Sequence, residues 1–258
     1  MHLEINVDKL EEYFKKKELY SNIRVSSPYI AVRCDGRNFH KLTQYLGFKK
    51  PYDKRFAVMM ILSALRVMNE IDAVKLAYLF SDEVNFILKS PYPYNGRIEK
   101  LDSIIASILG GAFTALIHLF LNRMYIASFD ARIIPLDEID EIISYLVWRQ
   151  LTCFRNCLNS YAQYVLLKFE GLSRRKTAKI LERVKGRDLI KIIERYIDFN
   201  KVPLWHKRGI LVTYTKYVKL GYDPIRRRHV KCRRRKAIVL WGNFSFHSKD
   251  NLVLQALG

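Results

Sequence analysis

Residues 104–121 run for eighteen positions without a formal charge, IIASILGGAFTALIHLFL. That is close to the ~20 apolar residues a membrane-spanning helix needs. Ser107, Gly110, Gly111, Thr114 and His118 interrupt the run, however, and no second stretch of the kind follows. The expectation is therefore a buried helix of a soluble core, with no membrane partner and with His118 hydrogen-bonded inside. The flanking segments supply something to bury it against. Residues 29–34 (YIAVRC) are a β-branched run closed by Asp35-Gly36, a strand and its turn. Residues 53–70 open on an Asp suited to capping and carry apolar residues at helical spacing. Residues 73–80 and 84–89 read as strands joined by Ser81-Asp82-Glu83, a hairpin with an acidic tip. A loop at 91–96, a helix over 97–123 and a strand over 125–134 complete the series. The order strand, helix, strand, strand, helix, strand is the ferredoxin-like split βαβ arrangement. One sheet face under two helices accounts for the apolar character of both 58–68 and 104–121.

The rest of the chain extends this α+β core. An amphipathic helix over 3–16 precedes it. Residues 136–167 form one or two long helices, helical pattern continues to residue 200, and β-like runs at 210–220 and 237–241 close the chain. Residues 1–135 are thus expected to form the core unit and 136–258 a helical and small β extension, joined in one integrated fold. Half of the 258 residues are hydrophobic, which excludes disorder as the main character. No secretory signal opens the sequence, and four cysteines are too few for a disulfide scaffold, which points to a reducing, cytoplasmic setting. Cys34, Cys153, Cys157 and Cys232 lack zinc-type spacing and read as core residues. Tyr161, Tyr164 and Phe169 read as core or subunit interface.

The net charge of +20 is concentrated. Residues 201–240 hold thirteen Lys and Arg against one acid, Asp223. The block at 226–236, RRRHVKCRRRK, repels itself unless a polyanion lies nearby. Phosphate backbones are the usual partner, and Tyr214, Tyr217 and Tyr222 add stacking surfaces. Lys207, Arg208, Arg226, Arg227, Arg228, Arg233, Arg234 and Arg235 are the candidate RNA-binding residues.

The split βαβ topology makes the first strand central and sets its carboxyl end beside the hairpin tip, so Asp35 faces Asp82 and Glu83. Converging carboxylates repel strongly unless cations lie between them. Mg²⁺ is the natural solution, because it combines a couple of carboxylates with substrate phosphates. Two such ions serve phosphoryl transfer by activating a hydroxyl and stabilising the leaving oxygen. A sheet of this topology carrying acids there is the palm of polymerases and nucleotide cyclases.

Asp35-Gly36-Arg37-Asn38-Phe39-His40, followed by Gly47-Phe48-Lys49-Lys50-Pro51 and Asp53, closely resembles the opening motif of the tRNA-His guanylyltransferase family. Ser81-Asp82-Glu83 is similar to that family's second motif, Phe129-Asp130-Ala131-Arg132 to its FDGR-type strand, and Trp148-Arg149-Gln150 to its WRQ helix. A weaker echo runs from Pro203-Leu204-Trp205 through Lys207-Arg208-Gly209 to Val212. The resemblance implies a palm-like domain that adds nucleotides in the 3′–5′ direction, directed by a template, to the 5′ end of tRNA. It implies that Asp35, the Gly36 carbonyl and Asp82 hold two Mg²⁺ ions with support from Glu83, making these acids the catalytic set. By the same likeness the segment Gly36, Arg37, Asn38, Phe39, His40 cradles a nucleoside triphosphate alongside Ser81. Lys50 and Asp53 then contact the incoming nucleotide, and Arg97, Lys100 and Arg132 lie near phosphates.

The implied chemistry has two stages: the tRNA 5′-phosphate is activated by ATP or GTP, then the 3′-hydroxyl of an incoming nucleotide attacks it. Where the eukaryotic enzymes carry His-Ile-Asn-Asn after WRQ, this chain has Phe154-Arg155-Asn156-Cys157. That departure points to the guanylyltransferase-like branch, associated with repair of 5′-truncated tRNAs rather than obligatory guanylate addition to tRNA-His. A homotetramer is the assembly expected from the family. Two other classes stay open at this stage: a non-catalytic RNA-binding protein on the same fold, disfavoured by the intact acids, and a palm-type nucleotide cyclase, disfavoured by the basic block.

Overall fold

The computed structural model describes residues 6–246 and 252–257. In chain order the elements are α1 (Val7–Lys15), β1 (Tyr29–Gly36), α2 (Phe39–Tyr45), α3 (Lys54–Glu70), β2 (Val74–Phe80) and β3 (Glu83–Lys89). They continue with α4 (Ile98–Leu121), β4 (Phe129–Leu136), α5 (Ile139–Lys168), α6 (Arg174–Leu181) and α7 (Arg187–Glu194). The last are α8 (Leu204–Arg208), β5 (Ile210–Asp223), β6 (Arg228–Leu240) and α9 (Leu252–Leu257).

Six strands form one sheet in the order β4-β1-β3-β2-β5-β6, with every neighbouring pair antiparallel. Its first four positions are the expected split βαβ core. Phe80 opposes Glu83, so the β2–β3 turn is only Ser81-Asp82, with Ser81 in the left-handed region at φ +51°. Glu83, read from sequence as part of the turn, is instead the first residue of β3.

One sheet face carries Ile30, Val32, Phe86 and Leu88 against Met60, Val67, Leu109 and Phe113 of α3 and α4. The other face is covered too. Ala31, Tyr78 and Ile87 meet Ile142, Leu146 and Cys153 of α5, with Phe244, Phe246 and α9 residues closing the edge. Central strands buried on both sides need apolar residues at nearly every position, which is why they read as continuous hydrophobic runs rather than alternating ones. Asp53 caps α3 by accepting from the Arg55 amide, as its position in the sequence predicts.

Three further expectations are corrected. α4 buries only a stripe through Leu101, Ile105, Leu109, Phe113 and Ile117, and His118 lies on its exposed face. Only 28% of the helix's most apolar window is buried, although its length and composition alone would suffice to cross a membrane. A helix that is apolar all round carries no signal for which face turns inward. The fourth strand begins at Phe129 rather than 125, because Asn122 adopts the left-handed conformation at the C-terminus of α4 and an irregular segment follows.

The basic block, expected as a link between two strands, lies mostly inside β6. Beyond Thr213, β5 pairs with β6 alone, so the two strands leave the sheet as a ribbon reaching Asp223↔Arg228. Cross-strand partners such as Tyr217↔Arg234 and Tyr222↔His229 set aromatic rings beside the long basic side chains, and this pairing sustains strand where charge alone suggests loop.

Candidate active site

The carboxyl end of β1 and the β2–β3 turn meet because Cys34 pairs with Val84 in the register. Asp35 and Asp82 extend from these neighbouring ends, Asp35 exposed and Asp82 half-buried. Burial raises the Asp82 pKa. A hydrogen bond from the Ser81 hydroxyl at 2.8 Å opposes that rise, while the carboxylates of Asp35 and Glu83 add to it. Lys50 is the nearby cation. Its burial lowers the ammonium pKa against the pull of the Asp82 carboxylate, and its Nζ lies 3.0 Å from the Thr43 hydroxyl.

A cavity of about 940 Å³ opens beside this pair. Gly36, Asn38, Phe39, His40, Lys50, Asp53, Ser81 and Asp82, all named from the sequence as nucleotide-side residues, line it. A Cβ on Gly36 would lie 2.4 Å from the Phe39 ring, so glycine is what lets β1 end against that ring. Phe39 is in turn fixed among Phe56, Phe113 and Phe129. Asp53 has its carboxylate engaged by the Lys49 amide at 2.9 Å, the Arg55 amide at 2.9 Å and the Arg55 guanidinium at 2.7 Å. Burial alone would raise its pKa, but these donors hold it down at about 2. Asp53 therefore shapes the cavity wall by fixing the start of α3.

The far wall comes from residues that sequence reasoning missed. Ser160, Gln163, Tyr164 and Lys168 of α5 and Arg174 of α6 face the cavity. Tyr164, read from the sequence as core or interface, belongs to this wall. Trp205 and His206 also line it, beside Tyr52. His206 stacks on Tyr52 at 4.5 Å and meets the Tyr161 hydroxyl at 2.7 Å through Nδ1; burial lowers its pKa to about 4. The signal for this wall was the Trp205-His206 pair beside the Lys207-Arg208-Gly209 echo.

Glu83 is placed differently from its two acidic neighbours. Both of its oxygens are taken by Arg149 of α5, Nε to Oε1 at 2.8 Å and Nη2 to Oε2 at 2.6 Å. Asn85 Nδ2 donates to Oε1 at 2.8 Å, and the Tyr145 hydroxyl donates to Asn85 Oδ1 at 2.5 Å. Trp148 covers the guanidinium at 4.4 Å. The adjoining Gln150 donates to the Arg208 carbonyl at 3.2 Å and so ties α5 to the α8–β5 junction. The expectation that all three acids face one spot thus holds for charge but not for free oxygens.

Five of the residues named from the sequence for the nucleotide side do not line the cavity. Asp35 stands at its rim, opposite Asp130 in the β1–β4 register. Arg37 is exposed, its amide donating to the Ser128 carbonyl. Arg97 precedes α4, at the end of the sheet remote from the Ser81-Asp82 turn, with its guanidinium 3.7 Å from Glu99. Lys100 lies on the first turn of α4, and Arg132 pairs with Asp130 at 3.5 Å on an exposed surface.

Among the candidate RNA-binding residues, Arg227, Arg228, Arg233 and Arg234 are exposed on the ribbon and have no carboxylate partner among the described residues. Arg235 pairs with Asp72 at 2.7 Å and Arg226 with Asp223 at 4.0 Å. Lys207 sits over the Phe199 ring at 4.7 Å, and Arg208 is exposed beside it.

No three Asp, Glu, His or Cys side chains among the described residues form a metal-binding cluster. What the site offers is two carboxylates, Asp35 and Asp82, with the Gly36 backbone in the same wall. That set suits Mg²⁺, which takes one or two carboxylates and leaves its other positions to water and phosphate oxygens.

The model of the tRNA-His guanylyltransferase family matches residues 11–137. The tRNA(His) guanylyltransferase of Candida glabrata is 30% identical over 211 residues, covering 78% of this chain and 89% of that protein. That of Schizosaccharomyces pombe is 30% identical over 203 residues, 77% of each. Among solved structures, a bacterial tRNA(His) guanylyltransferase-like protein in complex with ATP superposes with a TM-score of 0.73 at 22% identity, covering 97% of this chain and 98% of that one. The Saccharomyces cerevisiae tRNA(His) guanylyltransferase superposes with a TM-score of 0.69 at 26% identity, over 85% and 94%.

Proposed function

The chain belongs to the tRNA(His) guanylyltransferase family, and from that premise we propose that it is a nucleotidyltransferase that extends tRNA at the 5′ end. The observation that carries the reading is the Asp35–Asp82 pair at the rim of a cavity walled by the junction from the end of β1 to the start of α2 and by Lys50. In the first stage an oxygen of the tRNA 5′-phosphate attacks the α-phosphorus of ATP or GTP, and pyrophosphate leaves. In the second the 3′-hydroxyl of an incoming nucleotide attacks the activated 5′-phosphorus, its proton is lost, and the nucleoside monophosphate leaves. Growth therefore runs 3′–5′, with an opposing strand as template.

Asp35, Asp82 and the Gly36 carbonyl would hold Mg²⁺, which when bound lowers the hydroxyl pKa and offsets charge on the transferring phosphorus. Asp82 in its two-residue turn and Asp35 at the neighbouring end of β1 cannot both stand as bare anions without cost, and that repulsion favours a cation between them. Lys50 supplies fixed positive charge beside the same carboxylate, and Lys168 and Arg174 on the far wall suit the phosphates of a bound nucleotide. The ribbon cations hold the tRNA body by contacts to phosphate. Phe154-Arg155-Asn156-Cys157 in place of the His-containing motif favours repair of truncated tRNAs over strict guanylate addition. The uncovered apolar residues of α1 (Val7, Leu10, Tyr13 and Phe14) and of the α4 end (Leu119 and Phe120) are suited to contacts between subunits of a tetramer. The thiols suit a cytoplasmic setting.

The test incubates a 5′-truncated, 5′-phosphorylated tRNA with Mg²⁺ and each triphosphate, using wild type and Asp82→Ala. Extension by wild type and a loss of at least ~10²-fold in the variant are expected. No extension by wild type, or equal extension by both, would refute the reading.

A further inference from the structure

Glu83 follows Asp82 directly, yet its oxygens point into a buried hydrogen-bonded network on the α5 side of the sheet. Residue exposure is 8% for Glu83 and 5% for Arg149. The guanidinium meets both carboxylate oxygens, the fork geometry in which an arginine fixes orientation as well as charge. The network continues through Asn85 to the Tyr145 hydroxyl, so two residues of β3 are bonded to two successive inward turns of α5. Trp148 lies over one side of the guanidinium, and Phe80 is within 5.5 Å of it. Phe80 and Glu83 are the closing pair of the two-residue turn that presents Asp82. The turn has little of its own to hold it: Ser81 occupies the left-handed region, and its hydroxyl is spent on Asp82.

We propose that Arg149 and Glu83 are positioning residues: their buried ion pair anchors the β2–β3 turn to α5 and thereby aims Asp82, and Glu83 is not a ligand of the cation. The inference rests on the metal-dependent reading given under Proposed function. It assigns the Trp148-Arg149-Gln150 segment a task at the active site although none of the three lines the cavity.

A double-mutant cycle on Mn²⁺ binding, followed by electron paramagnetic resonance without nucleotide, separates an anchor from a ligand. The proteins are wild type, Asp82→Asn, Glu83→Gln, Arg149→Gln and the double variant Glu83→Gln/Arg149→Gln. Nucleotide addition and thermal melting are measured in parallel. An anchor predicts that each single change at Glu83 or Arg149 weakens Mn²⁺ by about 10-fold, the scale seen when groups behind a ligand are removed. It further predicts that the double variant, whose two amides can bond each other, binds no worse than either single. Arg149→Lys keeps the charge without the fork and is expected to fall between wild type and Arg149→Gln, which preserves the test if Arg149→Gln does not fold.

A Glu83→Gln loss equal to that of Asp82→Asn, repeated in full on the Arg149→Gln background, would make Glu83 a ligand and overturn the proposal. So would unchanged Mn²⁺ affinity in folded Arg149→Gln. Failure of wild type itself to bind Mn²⁺ would remove the metal-dependent reading first, and this inference with it.

Discussion

Removing the four unpaired ribbon arginines should change how RNA affinity responds to salt. Arg227, Arg228, Arg233 and Arg234 are exposed and have no carboxylate partner among the described residues, so each is free to displace a counterion from a phosphate. On duplex RNA treated like duplex DNA, each contact contributes about 0.9 to the slope of log K against log salt. Losing four lowers that slope by up to ~3.6, and near physiological salt each lost contact weakens binding roughly five-fold, or about 10³-fold for all four. The assay is fluorescence anisotropy of a labelled tRNA between ~50 and ~200 mM KCl. Glutamine at all four positions keeps length and strand pairing while removing charge. Arg226→Gln and Arg235→Gln are the internal comparison. Asp223 and Asp72 already neutralise those two, so each should change the slope by well under one contact. An unchanged slope in the four-fold variant, or equal effects from the paired and unpaired arginines, would refute the reasoning.

Gly36→Ala should cut nucleotide addition by at least ~10-fold, because its Cβ would meet the Phe39 ring and push apart the cavity wall; steady-state rates with a saturating tRNA check it, and wild-type activity would be contrary. Acid should destabilise the fold in two stages. His206, depressed to about 4 from its ordinary 6.5, contributes about 3 kcal/mol of stability that begins to fall as pH drops below 6.5 and is lost through about 4. Asp53, depressed to about 2 from 3.8, contributes about 2 kcal/mol that is lost as pH falls from about 4 through 2. Urea unfolding of wild type and His206→Asn across that range should show the upper stage disappear in the variant. Asp53→Ala should cost about 1–2 kcal/mol even at neutral pH, because the start of α3 loses its cap.

The four-strand core and the meeting of Asp35 with Asp82 were legible because they follow from local pattern: short apolar runs and a tight acidic hairpin. Asp35-Gly36, expected as the turn after the first strand, instead forms its last two residues, paired with Asp130 and Phe129 of β4, and the chain turns at Arg37-Asn38. Pairing of Glu83 with Arg149 was not legible locally, since the two are 66 residues apart. One signal existed all the same: Arg149 lies on the inward face of a helix among Ile142, Tyr145, Leu146 and Cys153, and an arginine so placed demands a carboxylate. Arg97 lies far from the site because β3 runs away from the Ser81-Asp82 turn to Lys89, opposite Tyr29, and the 90–96 loop that leads to Arg97 stays at that end of the sheet. β6 was hidden because dense charge masks strand pattern, and its pairing becomes visible only through the partners on β5. The second covered face of the sheet was hidden for a related reason: α5 reads as amphipathic, but nothing in its own sequence says which surface it meets.

The shared β5 strand also acts as a ruler. Its start lies beside Leu79, two residues from the Ser81-Asp82 turn, and its end lies at the ribbon tip. Its fourteen residues span about 45 Å at ~3.3 Å each. An RNA short enough to reach only the chemistry would never touch the tip arginines, so substrates should divide by length into those that sense the ribbon and those that do not.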